Sequence, residues 1–99
     1  MNTLRNIHPG EILKEEFLEP LGISAYRLAK DTFIPQTRIS QILKGKRRIT
    51  ADTALRLQKY FGTTAKFWLG LQDDFDIEEE SKRKKEDLKE IKARDSNAA

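Results

Sequence analysis

Between Thr32 and Ala51 this 99-residue chain has no acidic side chain, and there Gln36, Thr37, Arg38, Ser40 and Gln41 precede four cations in the five residues Lys44 to Arg48. These residue types suit recognition rather than bond making. Gln pairs in bidentate fashion with adenine, Arg with guanine, and Thr meets a thymine methyl or donates a hydrogen bond. The first set is therefore expected to read bases. Lys44, Lys46, Arg47 and Arg48 suit phosphates, which fix a protein's position and carry little sequence information. Arg27 and the N–H groups after Thr50 are further phosphate candidates. By itself the cationic run would also fit a solvated loop, an RNA or a membrane surface. Beside a polar helix at this spacing, duplex DNA is the better reading.

The elements that must present these residues are short helices. His8-Pro9-Gly10 opens the first, because Pro is tolerated at the first helical position, and Ile12, Leu13 and Phe17 share its apolar face. Pro20 and Gly22 are expected to end it. Ser24 is placed to cap Ala25 to Lys30; after a break at residues 31–34, Pro35 starts a helix that reaches Lys44 and stops at Gly45. With Ile39, Ile42 and Leu43 turned inward, helical periodicity puts Thr37, Gln41 and Lys44 outward, flanked by Arg38 and Ser40. Two helices joined by a short turn, with small Ala29 at their crossing and Leu28, Ile34, Ile39 and Ile42 locking them, match a helix-turn-helix unit. Thr50 and Thr64 are expected to cap two more helices, with Gly62 between them. Strand alternation is missing, so the fold class is all-α with about five short helices and a charged helical tail.

Charge separates the chain into unlike parts. Residues 1–72 carry 12 basic and 6 acidic side chains, and residues 73–99 carry 7 and 10. The expected division is a DNA-binding and dimerisation domain of residues 1–75 followed by a partly helical, fraying tail of residues 76–99. In that tail, i,i+4 pairs such as Glu78 with Lys82, Glu79 with Arg83, Glu80 with Lys84 and Glu90 with Arg94 can support a helix without a core. The absence of Cys excludes a disulfide scaffold, a thiolate metal site and a cysteine nucleophile. The single His, His8, reads better as a hydrogen-bonding residue at a helix entry than as a ligand or base. No cofactor, metal or catalytic activity is expected. Lacking a secretory signal and any run near the ~20 apolar residues of a membrane span, the chain reads as cytoplasmic with no membrane partner.

Five strings carry a family resemblance: His-Pro-Gly-Glu at 8–11, Ile-Pro-Gln-Thr-Arg-Ile at 34–39, Lys-Gly-Lys-Arg at 44–47, Ile-Thr-Ala-Asp-Thr-Ala-Leu-Arg-Leu at 49–57 and Phe-Trp-Leu-Gly-Leu-Gln at 67–72. Together, over about residues 7 to 77, the chain resembles the HigA antitoxins of the phage-repressor-like helix-turn-helix class. That resemblance implies a five-helix lambda-repressor-like domain. It also implies a dimer that binds double-stranded operator DNA, represses its own operon and neutralises a HigB-type toxin, a ribosome-dependent mRNA-cleaving protein encoded beside it. Phe33 departs from the pattern, since such units often carry Gly in the turn. Gly70 departs too, standing where a polar residue is expected.

Two contact surfaces complete the expectation. Helix-turn-helix proteins reach enough base pairs by pairing two units on a palindrome, and Phe67, Trp68, Leu71 and Phe75 are the apolar residues left for a homodimer interface once four helices form a core. Asp73, Asp74, Asp76, Glu78, Glu79 and Glu80 would face the basic surface of an RNA-cleaving toxin, with Phe75 and Ile77 as apolar anchors. The same acidic run also fits a solvated helix. The alternative function is a stand-alone transcriptional regulator with no toxin partner, which would use the same DNA-contacting residues.

Overall fold

In the computed structural model, which describes residues 5–94, His8 starts the first helix by accepting the N–H of Gly10 on Nδ1 at 2.8 Å, with Pro9 in the first helical position. Helix α1 covers residues 9–21 in three parts: Pro9–Ile12, a wider π-wound stretch Leu13–Leu18, and Glu19–Leu21. Pro20 lies inside this helix rather than ending it. It has no N–H for the carbonyl of Glu16, and in a regular α-helix its ring would crowd that carbonyl; the π-wound stretch that precedes it makes room. The end comes at Gly22, left-handed at φ +67. Its N–H reaches the Glu19 carbonyl (3.2 Å) and the Ile23 N–H reaches that of Leu18 (2.9 Å), closing a Schellman turn.

Helix α2, Ala25–Thr32, is capped by the Ser24 hydroxyl, which accepts from the N–H of Arg27 at 3.0 Å. It runs two residues beyond the expected stop because the Thr32 hydroxyl turns back onto the Leu28 carbonyl (2.6 Å) and leaves that last turn satisfied. Phe33 then takes the left-handed conformation, φ 58 and ψ 33, in the place where Gly would be unstrained. Helix α3, Gln36–Leu43, follows Pro35. Helix α4, Ala51–Phe61, begins at Thr50, whose backbone caps it although its hydroxyl, contrary to expectation, makes no cap bond. Helix α5, Ala65–Arg83, is capped by the Thr64 hydroxyl on the N–H of Phe67 (3.0 Å), and a short α6, Lys85–Lys89, follows a break at Lys84.

All regular structure among the described residues is helical. Among the described residues there are six helices, the expected five and a sixth from the charged tail, which also supplies the second half of α5. Helix α5 passes residue 76 without interruption. Of the anticipated tail pairs, Glu78 meets Lys82 at 3.5 Å, while Arg83 turns to Glu80 and Glu79 to Asn6. The fraying expected toward Asp95 to Ala99 lies outside the described residues.

The core draws on every helix through α5: Leu13 and Leu18, Leu28 and Ala29, Ile39 and Ile42, Ala54 and Leu57, and Trp68, with Ile34 and Ile49 from the connections. Trp68 is fully buried, its Nε1 donating to the Thr63 hydroxyl at 2.7 Å and its ring 4.9 Å from that of Phe17 and 5.0 Å from that of Phe67. It is therefore a core residue and not the dimer contact expected from sequence. A large ring with one donor satisfied inside the chain has little to offer a partner surface.

Candidate nucleic-acid interface

Helix α3 divides as its periodicity requires. Ile39 and Ile42 are wholly buried, whereas Gln36, Thr37, Gln41 and Lys44 are exposed and Ser40 is half-buried. Gln36 and Ser40 border a groove shared with Lys14, Ile23 and Leu43. Arg38 departs from this set. Its guanidinium turns to the start of α4, donating to the carboxylate of Asp52 (2.7 Å) and toward the Thr53 hydroxyl (3.3 Å). Asp52 also accepts from Arg56 Nε at 3.0 Å; the bonds from Arg38 and Arg56 hold its carboxyl below the usual range. Arg38 thus joins α3 to α4 instead of lying free beside the other base-reading candidates.

The cationic loop begins at Gly45, left-handed at φ +75, with its N–H on the Ile42 carbonyl (3.0 Å) and that of Lys46 on the Gln41 carbonyl (2.8 Å). This reversal lays Arg47 back over the end of α3, where its Nε donates to Gln41 Oε1 at 2.7 Å. Arg48 turns the other way and pairs with Asp76 of α5. Beneath them, the N–H of Ile49 donates to Oε1 of buried Gln72 at 2.6 Å, and Gln72 Nε2 donates to Asp76 at 2.9 Å. Burial raises the Asp76 carboxyl, but the bonds from Arg48 and Gln72 outweigh it and hold the group low. From the opposite side, the ring of His8 packs against Gly45 and edge-on to Phe75, with centroids 4.9 Å apart. Burial lowers the His8 pKa.

Two helices thus anchor a loop whose cations differ in availability. Among the described residues Lys44, Lys46 and Arg47 have no carboxylate partner, whereas Arg48 is held by Asp76 and Arg27 by Asp31 (2.9 Å). Asp31 also accepts from the Tyr60 hydroxyl at 2.7 Å, and those bonds, Tyr60 first, lower its pKa. Thr50 is exposed at the start of α4, its hydroxyl unused by the cap. Of the acidic set, Asp73, Asp74, Glu78, Glu79 and Glu80 are exposed, with Ile77 64% exposed beside them; Asp76 is committed to the loop. Phe67 is 40% exposed, and Leu71 and Phe75 are half-buried.

Sequence reasoning missed the residues that hold the loop. Gln72 could have been found, since it follows Trp68 by four positions and so shares the core face of α5. The pairing of Asp52 with Arg38 and of Asp76 with Arg48 joins residues 14 and 28 positions apart and gave no signal. No group of three His, Cys, Asp or Glu able to hold a metal occurs among the described residues, and no helix there is long and apolar enough to cross a membrane.

Residues 14–68, which include α2, the turn and α3, match the family model HTH_3, helix-turn-helix. A HigA-family addiction module antidote protein from Coxiella burnetii is 51% identical, with TM-score 0.86 over 92% of this chain and 100% of that one. The chain belongs to the HigA-type helix-turn-helix family. It is similar also to Pseudomonas aeruginosa antitoxin HigA, solved with the higBA promoter: 37% identity and TM-score 0.86, over 89% of this chain and 97% of that one. Among curated relatives, Virulence-associated protein I of Dichelobacter nodosus is 51% identical over 76 residues, 77% of this chain and 70% of that one. HigA-type helix-turn-helix proteins are a DNA-binding family and not a family of enzymes.

Proposed function

We propose that this HigA-type chain binds operator DNA as a two-fold dimer, represses the operon that encodes it and neutralises a HigB-type mRNA-cleaving toxin. One observation carries the DNA reading: the acid-free, exposed face of α3 is continuous with a cationic loop that α1 and α5 hold in place. Gln36, Thr37, Ser40 and Gln41 read bases, and Lys44, Lys46 and the N–H groups after Thr50 hold phosphates. The likeness to an antitoxin solved with its promoter supports this reading. Phe67, Leu71 and Phe75 remain the dimer candidates once Trp68 is assigned to the core.

The toxin reading rests on family membership and on charge. Asp73, Asp74, Glu78, Glu79 and Glu80 form an exposed acidic stretch of α5 that complements the basic surface an RNA-cleaving enzyme presents to its substrate. The test is fluorescence anisotropy on the duplex upstream of its own gene against a scrambled duplex, with sedimentation to count protomers. Two protomers per palindrome and a preference for the upstream duplex are expected; equal affinity for both duplexes would refute the operator reading. Charge reversal at Glu78, Glu79 and Glu80 is expected to abolish rescue of growth from the neighbouring toxin. Undiminished rescue by the folded variant would remove this docking surface.

A further inference from the structure

Arg27, Arg38 and Arg48 are each held by a carboxylate, but the partner of Arg47 is the neutral side-chain amide of Gln41. Arg47 therefore keeps its charge uncompensated while Gln41 orients it. Because a guanidinium only donates, the contact also fixes the amide: Oε1 must face Arg47, and Nε2 is the group left to point away. The Gly45 turn builds this geometry, since it returns the chain over Gln41 and both side chains remain exposed at the C-terminal end of α3.

The consequence is chemical. A glutamine that reads adenine in bidentate fashion uses its oxygen to accept from N6 and its amine to donate to N7, whereas guanine offers two acceptors, O6 and N7. With Oε1 turned to Arg47 and one of its lone pairs taken, the groups the pair turns outward are donors, the Gln41 amine and the free guanidinium N–H groups of Arg47. We infer that Gln41 and Arg47 act together to read guanine, so that Arg47 determines sequence specificity instead of holding a phosphate. Arg47 is a reading residue here, and its bond to Gln41 sets the donor pattern.

This inference rests on the operator reading proposed above, and the experiment separates their failures. Affinity for the upstream duplex is measured with single 7-deazaguanine replacements, which remove the N7 acceptor and leave base pairing intact, in the full chain and in Arg47→Lys, Arg47→Ala and Gln41→Ala. For the unaltered chain, one replacement in each half-site is expected to weaken binding about tenfold. Each of the three substitutions is expected to erase that penalty at the same position, and Arg47→Lys fails to restore it although it keeps the charge. If Arg47→Ala weakens every duplex alike with the 7-deazaguanine penalty intact, or if Arg47→Lys restores wild-type behaviour, the guanine assignment is wrong and the operator reading survives. If the unaltered chain does not prefer the upstream duplex, both fall.

Discussion

Gly10 lies so close to the carbonyl of Ile42 that a β-carbon on it would be 1.9 Å from that oxygen. The start of α1 thus rests directly on the last turn of α3, the turn that leads into the cationic loop. His8, two residues earlier, packs on Gly45 in that loop. The His-Pro-Gly string is therefore a packing requirement: a cap, a helix start and a residue without a side chain, all meeting the end of the proposed reading helix.

Gly10→Ala is expected to destabilise the fold by about 1–3 kcal/mol, since the backbone of α1 or α3 must shift to admit the methyl. Urea unfolding followed by circular dichroism measures it. A change within ~0.5 kcal/mol, the range of an ordinary surface substitution, would show that the close approach is not maintained in solution.

Gly70→Ala is the counter-case. Gly70 sits in the exposed middle of α5 with open space where its β-carbon would be. The same urea titration is expected to give a gain of about 1 kcal/mol, from helix propensity alone. A loss would mean that a neighbouring molecule or chain segment occupies that space.

Phe33 is 85% exposed and left-handed, so it carries backbone strain without burial to offset it. Phe33→Gly is expected to raise the thermal midpoint, with a net gain of about 1 kcal/mol. A lower midpoint would indicate that the ring makes stabilising contacts in solution.

His8 makes stability depend on pH in one direction. Burial lowers its folded pKa, while the unfolded imidazole keeps an ordinary value of ~6.5. Above that value both forms are neutral and the full stability is present. As the pH falls below it, the unfolded chain takes up the proton first, and stability declines until the folded His8 protonates too. Thermal midpoints measured from pH 7.5 to 5 are expected to fall through this window and to fall less in His8→Asn. Parallel curves for the two proteins would remove His8 as the cause.

Much of this was legible in the sequence because it is local. Caps at His8, Ser24 and Thr64, stops at Gly22, Gly45 and Gly62, and the buried stripe of Ile39 and Ile42 each depend on a few neighbouring residues. Long-range pairing was not legible. Arg38 belongs on the exposed face by periodicity, yet Asp52, fourteen positions on, captures it; Arg48 is captured by Asp76 from 28 positions away. The burial of Trp68 is illegible for the same reason, since only the fold brings Phe17 and Phe61 around it. By the local rule Pro20 is a stop, yet the helix accommodates it by widening.

Whether α3 and the loop after it form the DNA surface is decided by mapping amide chemical shifts while the upstream duplex is added to isotope-labelled protein. The largest shifts are expected at residues 36–41 and 44–50, with smaller ones at Gln72 and Asp76 through the loop contacts. Shifts centred instead on residues 77–91, with α3 unmoved, would contradict that assignment.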